Sequence, residues 1–386
     1  MFEDFLSAVD LESILNGNPL NDNSIANHIQ IFENEFPDLE GVDIAIIGVK
    51  EDRKSIGNDG CGTAPDEIRR YFYRLDKSDH PIKIADLGNL QAGASVNDTY
   101  VAIGKIVSEL IAKKILPVII GGGHDLTYGQ YLGYVNNQQI INMAVIDETI
   151  DIYKHEEEID NQSFLYRIFT ESPNYLFNFS QIGYQSYFVS PEDIETLEKL
   201  YFDFYRLGRI RENFEEVEPI VRDADMVSFD ISAIRQSDAP AKKNATPNGF
   251  FGEEACRISR YAGITDKVTS IGFYETNPGY DVNHQTTHLV AQMIWYFVDG
   301  FYNRTNEFPV VNEKDFVKYI VHFRDNDHEL IFWKSKRSGR WWMQVPTGES
   351  QKYERHQLVP CSYADYTAAT KEEIPERWLR AYEKIS

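Results

Sequence analysis

The stretch ILPVIIGGGH, residues 115–124, indicates the fold class. Its apolar residues, rich in Ile and Val, run into three glycines and a histidine, a pattern typical of a buried strand followed by a turn. Similar short apolar runs, most of them ending in Gly or an acid, occur at 42–49, 142–147, 226–231 and 268–275. We expect each of these runs to form a buried parallel strand.

Helical patterns lie between these runs. Residues 64–75 and 190–204 each carry a proline in the expected first turn. Residues 99–114 have apolar side chains at three- and four-residue intervals, and residues 286–302 form a long, strongly apolar helical pattern. Because strand patterns alternate with helical ones, the sequence predicts an α/β fold with a central parallel sheet.

The composition limits the classes of function. The chain has 386 residues and a formal net charge of −23, which argues against a surface for nucleic acids or anionic membranes. Its N-terminal residues contain neither the basic stretch of a signal peptide nor an apolar run long enough to span a bilayer. The cysteines, Cys61, Cys256 and Cys361, form no CxxC pair, which suits a reducing compartment. We therefore expect a soluble cytoplasmic protein.

Polar side chains follow the apolar runs, at the point where each strand is expected to end. The carboxyl ends of parallel strands meet at one edge of a sheet, where functional groups gather. A histidine and several acids that converge on one rim predict a functional site there. These residues are His124, Asp147, Asp151, Asp230 and Glu275.

Four motifs, in this order and spacing, resemble those of the ureohydrolase superfamily of arginases, agmatinases and formimidoylglutamases. They are GGGHDLTYG (121–129), DETID (147–151), SFDIS (228–232) and ETNP (275–278). The resemblance covers roughly residues 40–300 and implies a three-layer arginase-type fold with a central parallel sheet. It is greatest to the formimidoylglutamase branch, through the stretches 57–70, 84–90, 177–188 and 239–255.

The resemblance also implies a metal site, but an incomplete one. In the family two Mn²⁺ ions share a hydroxide that attacks a guanidinium or amidine carbon. The implied ligands of the first ion are all present, whereas Thr149 and Ser232 stand at the two positions that belong to the second ion alone. We therefore expect at most one ion per chain, Mn²⁺ or another divalent ion, or none. The implied ligands of the first ion are His124, Asp147, Asp151 and Asp230.

Two further positions bear on catalysis. Arginases place a proton-shuttling histidine shortly after the second motif, and Asn161 or Gln162 lies near that place in this chain. Neither amide acts as a general acid near neutral pH. Glu275 is retained and is expected to bind an amidine or guanidinium cation through a charge-assisted pair. The alternative for Glu275 is a strand-end acid that pairs with a nearby arginine.

The chain is expected to divide into three parts. They are an N-terminal helical lead-in (1–40), an arginase-like α/β domain (41–303) and a C-terminal strand-rich extension (304–386) outside the resemblance. The extension has a hairpin signal at Ser338–Gly339. It also carries a basic aromatic cluster, which either packs on the main domain or contacts a second subunit or another protein. The cluster consists of Trp333, Lys334, Lys336, Arg337, Arg340, Trp341 and Trp342.

Two hypotheses about function follow, and the sequence leaves open whether the chain is an enzyme. The first, which the losses at Thr149 and Ser232 favour, is a catalytically weak or inactive ureohydrolase homologue that serves as a binding or scaffold subunit. The second is a divergent, formimidoylglutamase-like hydrolase of linear amidine or guanidine C–N bonds that uses one metal ion. The expected partners are a small amidine or guanidine and, through the C-terminal extension, a second copy of the chain or another protein.

Overall fold

The structure, a computed structural model, describes residues 2–154, 158–309, 313–323, 329–346 and 356–385. The strands are β1 (Leu6–Ser7), β2 (Gln30–Ile31), β3 (Ile44–Lys50), β4 (Ile84–Gln91), β5 (Leu116–Ile120), β6 (Ile141–Ile146), β7 (Leu176–Tyr184), β8 (Asp203–Arg206), β9 (Met226–Asp230), β10 (Ser270–Tyr274), β11 (Phe316–His322), β12 (Glu329–Ser335), β13 (Trp341–Gln344) and β14 (Leu358–Cys361). The α-helices are α1 (Leu11–Leu15), α2 (Ala64–Phe72), α3 (Val96–Ala112), α4 (Leu126–Asn136), α5 (Phe164–Thr170), α6 (Pro191–Lys199), α7 (Leu207–Glu212), α8 (Val217–Arg222), α9 (Gly252–Gly263), α10 (Gln285–Tyr302), α11 (Tyr363–Ala369) and α12 (Glu376–Ile385).

A ten-stranded sheet forms the centre of the main domain, in the order β1-β4-β3-β5-β10-β9-β6-β7-β8, with β2 also paired to β4. Every pairing in it is parallel except that of β1 with β4. The five apolar runs of the sequence form β3, β5, β6, β9 and β10, and these strands are adjacent in the sheet. The predicted parallel sheet is therefore confirmed.

Helices cover both faces of this sheet. Successive side chains of a strand point to opposite faces, so Ile46 of β3 lies in one apolar cluster and Ile47 lies in the other. The first cluster includes Ile258 of α9 and Val290 of α10, and the second includes Ile103 of α3. Two helical layers around one sheet make the three-layer α/β fold that the motifs predict.

The four predicted helices form α2, α3, α6 and α10, with one difference at α6. Ser190 caps α6, as the sequence indicates, but the helix ends at Lys199 rather than near residue 204. Tyr201 has a φ of 55°, a left-handed conformation that an α-helix does not accommodate. The residues that follow pair with β7 as β8 instead.

Strands β4 and β7 were not predicted as strands, because polar residues interrupt them. In β4, Asp86 is fully buried and accepts hydrogen bonds from Nε and Nη2 of Arg69, each at 2.8 Å. The hydroxyl of Tyr73 donates a third bond to the same carboxylate at 2.9 Å. A buried acid with these partners is compatible with a central strand, but its partners lie on α2 and the next turn and are not visible in the strand itself.

The N-terminal segment 1–40 contains α1 and two short strands. β1 and β2 both pair with β4, so this segment extends the main sheet as well as contributing a helix. In the described part of the chain, no helix has both the length and the apolar character needed to cross a membrane.

The described residues of the C-terminal extension form a four-stranded antiparallel sheet in the order β11-β12-β13-β14, followed by α11 and α12. The predicted hairpin joins β12 to β13, with Gly339 at a φ of 75° in the turn. Trp342 is buried, and the guanidinium of Arg222 on α8 lies 4.4 Å from its ring centroid. Arg222 also donates to the carbonyl of Trp341 at 3.0 Å. The hairpin therefore packs on the main domain, which was one of the two alternatives for the aromatic cluster.

Candidate metal centre

His124 reaches the rim of the sheet through a turn that needs its glycines. Gly122 lies so close to Glu51 that a Cβ on it would come within 1.8 Å of the Glu51 carbonyl oxygen. Only glycine accepts this approach. The backbone amide of Gly123 donates to the same carbonyl at 3.1 Å, which fixes the turn at the end of β5.

The predicted ligands of the first ion converge in the structure. Nδ1 of His124 lies 3.2 Å from Oδ2 of Asp147, 3.2 Å from Oδ2 of Asp151 and 3.5 Å from Oδ2 of Asp230. On the other side of the ring, Nε2 lies 3.0 Å from the hydroxyl of Ser228, which sets the orientation of the imidazole. Nδ1 of the histidine therefore faces a group of carboxylate oxygens.

These residues fit a single divalent ion. Nδ1 of His124 and Oδ2 of Asp147 are buried and make no hydrogen bond to any residue that the structure describes, and an unpaired buried polar atom is costly. Potential ligand atoms of His124, Asp147 and Asp151 all lie within 4.8 Å of one another. Carboxylates with an imidazole are ligands that suit Mn²⁺. An ion at this position would satisfy both unpaired atoms.

The electrostatics of the cluster also favour a cation. Burial by itself would lower the pKa of His124, but Asp147 and Asp151 raise it well above its ordinary value. Burial and the neighbouring Asp147 raise the pKa of Asp151 well above its ordinary value. Burial also raises the pKa of Asp230 to about 6, although Lys242 and His124 act in the opposite direction. Burial alone would also raise the pKa of Asp147, but His124 and Lys242 lower it below its ordinary value. The carboxyl groups of Asp151 and Asp230 therefore resist ionisation until a further positive charge joins the cluster.

Thr149 and Ser232 do not supply ligands for a second ion. The hydroxyl of Ser232 donates to Oδ1 of Asp147 at 2.8 Å, and that of Thr149 donates to Oδ1 of Asp151 at 3.0 Å. Each hydroxyl therefore uses its proton on a carboxylate of the first site. The residues present therefore do not fit the second ion of the family.

Lys242 is a part of the site that the sequence analysis missed. Its Nζ lies 3.1 Å from Oδ2 of Asp230. Burial alone would lower the pKa of Lys242, but Asp230, Glu275 and Asp147 raise it above its ordinary value. The position of Lys242 inside the family-like stretch 239–255 was a signal, but nothing in the sequence shows where its side chain points.

Glu275 is fully buried and its carboxylate is held by neutral groups. Ser55 donates to both of its oxygens at 2.8 Å, and Asn58 donates to Oε2 at 2.8 Å. The backbone amide of His124 donates to Oε1 at 2.9 Å. Among the described residues no arginine pairs with Glu275, so the structure does not support the alternative of a strand-end acid with an arginine partner. Glu275 instead links β10 to the glycine turn before His124.

Of the two candidates for the lost shuttle position, the structure brings Asn161 to the site. Its Nδ2 donates to Oε1 of Glu275 at 3.2 Å, and its Oδ1 accepts from the backbone of Ile56 at 3.0 Å. The backbone amide of Gln162 donates to Oδ1 of Asp160 at 2.9 Å, and its carbonyl accepts from the amide of Tyr153 at 2.9 Å. Asn161 is thus a structural partner of Glu275.

The chain is similar to a family model and to known proteins. The model of the arginase family matches residues 42–299. A formimidoylglutamase of Staphylococcus haemolyticus is 25% identical over 282 residues, which span 68% of this chain and 90% of that protein. A formimidoylglutamase of Clostridium tetani is 23% identical over 267 residues, covering 64% of this chain and 78% of that protein.

Solved structures show the same fold. Formimidoylglutamase from Bacillus subtilis superposes with a TM-score of 0.67 at 19% identity, over 75% of this chain and 96% of that one. Formiminoglutamase from Trypanosoma cruzi with Mn²⁺ superposes with a TM-score of 0.64 at 19% identity, over 70% of this chain and all of that one. The family match covers strands β3 to β10 and every candidate ligand, so this chain belongs to the arginase family.

Proposed function

We propose that this chain is an arginase-family protein that binds one divalent ion and hydrolyses linear amidines or guanidines weakly or not at all, and that it serves as a binding subunit. The observation that carries the proposal is the hydrogen bond from Ser232 to Oδ1 of Asp147 at 2.8 Å. It places a neutral donor where a second ion would need an anionic ligand. A bound ion would act as a Lewis acid on water, and a pair of ions does so more strongly.

The other side chains support a weak hydrolase. Glu275, which the resemblance assigns to the substrate cation, is engaged by Ser55, Asn58 and the amide of His124. A cation would have to displace part of this network or bind beside it. Asn161 stands near the expected proton shuttle and does not transfer protons near neutral pH.

A second candidate is a formimidoylglutamase-like hydrolase that works with one ion. The convergence of Asp147, Asp151 and Asp230 on His124 supports it, and so do the retained Glu275 and the relatives named formimidoylglutamase. In such a hydrolase the carboxylates of the first site would hold the ion. Glu275 would orient the amidine after the hydrogen bond from Asn161 to Glu275 breaks.

Metal analysis and product release together separate the two candidates. We expect at most one Mn²⁺ per chain after purification without chelator. We also expect ammonia or urea release from N-formimidoyl-L-glutamate, arginine and agmatine at least about a thousandfold below a family enzyme assayed in parallel. Robust turnover with one ion establishes the second candidate instead. Two bound ions overturn both.

A ligand variant with a matched control makes the metal measurement specific. Asp230→Ala should weaken Mn²⁺ binding by more than about a hundredfold, because even outer-shell partners of a metal contribute up to that factor. Asp238 is an acid of the same region that pairs with Arg235 at 2.9 Å and lies outside the cluster. Asp238→Ala should bind Mn²⁺ like the unmodified chain.

The C-terminal extension provides the surface through which the chain would bind a partner. Lys336 and Arg337 are exposed in the hairpin turn, and Val317 and Ile320 are exposed on β11 at the end of its sheet. A sheet edge with exposed apolar residues is a surface that another chain can cover. We propose a second copy of this acidic chain, or another acidic protein, as the partner of this surface.

A further inference from the structure

Lys242 lies in a loop whose backbone is fixed at the preceding residue, Ala241. The amide of Ala241 donates to the hydroxyl of Thr286 at 2.9 Å, and its carbonyl accepts from the amide of Asn277 at 2.7 Å. Ala241 is fully buried at this junction. The loop is therefore tied to the N-terminus of α10 and to the segment after β10, and it delivers the lysine to a defined place.

Asp230 connects Lys242 to the first site. Its Oδ2 lies 3.1 Å from Nζ of Lys242 and 3.5 Å from Nδ1 of His124. The same carboxylate is 4% exposed, whereas the side chain of Lys242 is 19% exposed and therefore enters from the solvent side. One carboxylate thus faces two positively charged or metal-binding partners, the role that a bridging acid has between two metal ions.

Other acids reinforce this arrangement. Asp147 and Asp151 each place a carboxylate oxygen 3.2 Å from Nδ1 of His124, next to the carboxylate of Asp230. Three ionised carboxylates carry one negative charge more than a single divalent ion neutralises, and an uncompensated buried charge is costly. The ammonium of Lys242 supplies one positive charge. Unlike a metal ion, it needs no set of coordinating ligands, because it only donates hydrogen bonds.

We propose that the ammonium of Lys242 takes the place of the second metal ion, as a covalently fixed cation on Asp230. This inference rests on the single-ion site proposed above and explains what compensates for the missing ion. An ammonium satisfies the carboxylate but cannot act as a Lewis acid on water. It also repels a divalent ion at short range. The chain would therefore remain a single-ion protein even if the lost ligands were restored.

The test compares restored ligand sets with and without the lysine. The first variant combines Thr149→His with Ser232→Asp, and the second adds Lys242→Met. We expect the first to bind one Mn²⁺ per chain and the second to bind two, measured by calorimetric titration and elemental analysis. Electron paramagnetic resonance should show exchange coupling of a Mn²⁺ pair in the second variant alone.

Single variants provide an independent measurement. Lys242→Met should raise the affinity of the first site for Mn²⁺ by about tenfold or more, because a neighbouring positive charge is removed. Lys243→Met removes the exposed adjacent lysine and should leave the affinity unchanged. Lys242→Arg keeps the charge and should behave like the unmodified chain. Circular dichroism verifies folding, and Lys242→Gln replaces Lys242→Met if that variant does not fold.

Each outcome bears on a different claim. If the unmodified chain binds two ions, the single-ion function is wrong and the role of Lys242 is wrong with it. If the unmodified chain binds one ion but the ligand-restored variant binds two with Lys242 still present, only the role of Lys242 is overturned. One ion in the variant that lacks Lys242, or an unchanged affinity in Lys242→Met, also overturns it.

Discussion

Asn161 donates a hydrogen bond from Nδ2 to Oε1 of Glu275 across 3.2 Å, and it adds a fourth neutral donor group to a fully buried carboxylate. The other donors are Ser55, Asn58 and the backbone amide of His124. Asn161 is half-buried, whereas the other two side chains are buried. It is therefore the donor that a small cation would displace most readily on its way to Glu275.

Removing the Asn161 amide should increase cation binding at Glu275. Asn161→Ala leaves Oε1 with one donor fewer, and a typical hydrogen bond contributes about 1 kcal/mol. We expect agmatine or guanidinium to bind about fivefold more tightly, measured by calorimetry or ligand NMR. Gln162→Ala is the matched control on the same turn and should have no effect. Equal affinities in the unmodified chain and Asn161→Ala would mean that Glu275 is not a cation site.

The buried pair of Arg69 and Asp86 is expected to carry a large share of local stability. Both side chains are 0% exposed, and two hydrogen bonds of 2.8 Å join them. Asp86→Ala leaves the guanidinium buried without its charge partner, so the free energy of unfolding should fall by about 3–5 kcal/mol. Urea unfolding measures this loss.

The control for Asp86 is an exposed ion pair. Lys199 and Glu195 are 70% and 61% exposed on α6. Lys199→Ala should change the free energy of unfolding by less than about 1 kcal/mol. If Asp86→Ala costs no more than this control, the buried pair does not stabilise β4.

Arg69 and Asp86 also show where prediction from the sequence stops. The runs that became β3, β5, β6, β9 and β10 are continuous apolar segments, and continuous apolar segments identify strands that are buried on both faces. β4 and β7 are also paired with strands on both sides, but Asp86 in β4 and Gln181 in β7 interrupt the apolar pattern. Their partners, Arg69 for Asp86 and the carbonyl of Thr149 for Gln181, come from other elements. Local sequence does not display such partners.

The residues of the candidate metal centre also differ in how well the sequence predicts their positions. The convergence of His124, Asp147, Asp151 and Asp230 was predictable, because each lies at or shortly after the carboxyl end of a strand. The position of Lys242 was not, because tertiary hydrogen bonds of its loop direct it toward Asp230. A residue in an irregular loop carries no periodicity that would reveal its neighbours.

Lys384 should give the chain a measurable pH dependence. It lies on α12, donates to Asn178 and has its Nζ 5.3 Å from the ring centroid of Phe202. Burial lowers its pKa to about 8, although Asp203 and Asp223 act in the opposite direction. Because this value lies below the unfolded value of about 10.4, the unfolded chain binds more protons between the two. The lysine's contribution to the free energy of unfolding therefore rises with pH from about 8 to about 10.4 and is flat below that range.

The variant Lys384→Met removes this contribution. The difference in free energy of unfolding between Lys384→Met and the unmodified chain should be largest near neutral pH and should shrink as the pH approaches about 10.4. Urea unfolding at a series of pH values measures it. Lys371→Met, at an exposed position of the same extension, should show no such trend. A difference that does not change with pH would show that Lys384 titrates normally.

The C-terminal extension offers a test that separates packing from partner contact. Truncation after residue 305 removes the hairpin that covers Arg222, whose Nη2 donates to the carbonyls of Trp341 at 3.0 Å and Cys361 at 3.3 Å. We expect the shortened chain to aggregate, because a buried guanidinium and its apolar surroundings become exposed. Aggregation alone would show the role of packing and would not show a partner contact.

Charge reversal in the hairpin turn leaves that packing in place. Lys336 and Arg337 are exposed, whereas Trp341 and Trp342 are buried. The double variant Lys336→Glu with Arg337→Glu should keep the unfolding midpoint within the small range of surface substitutions. It should lower the mass per assembly in light scattering, because two like-charged acidic surfaces repel. Lys371→Glu changes the charge elsewhere on the extension and should not alter the assembly. If the hairpin variant retains both its mass and its partners, the extension serves packing alone.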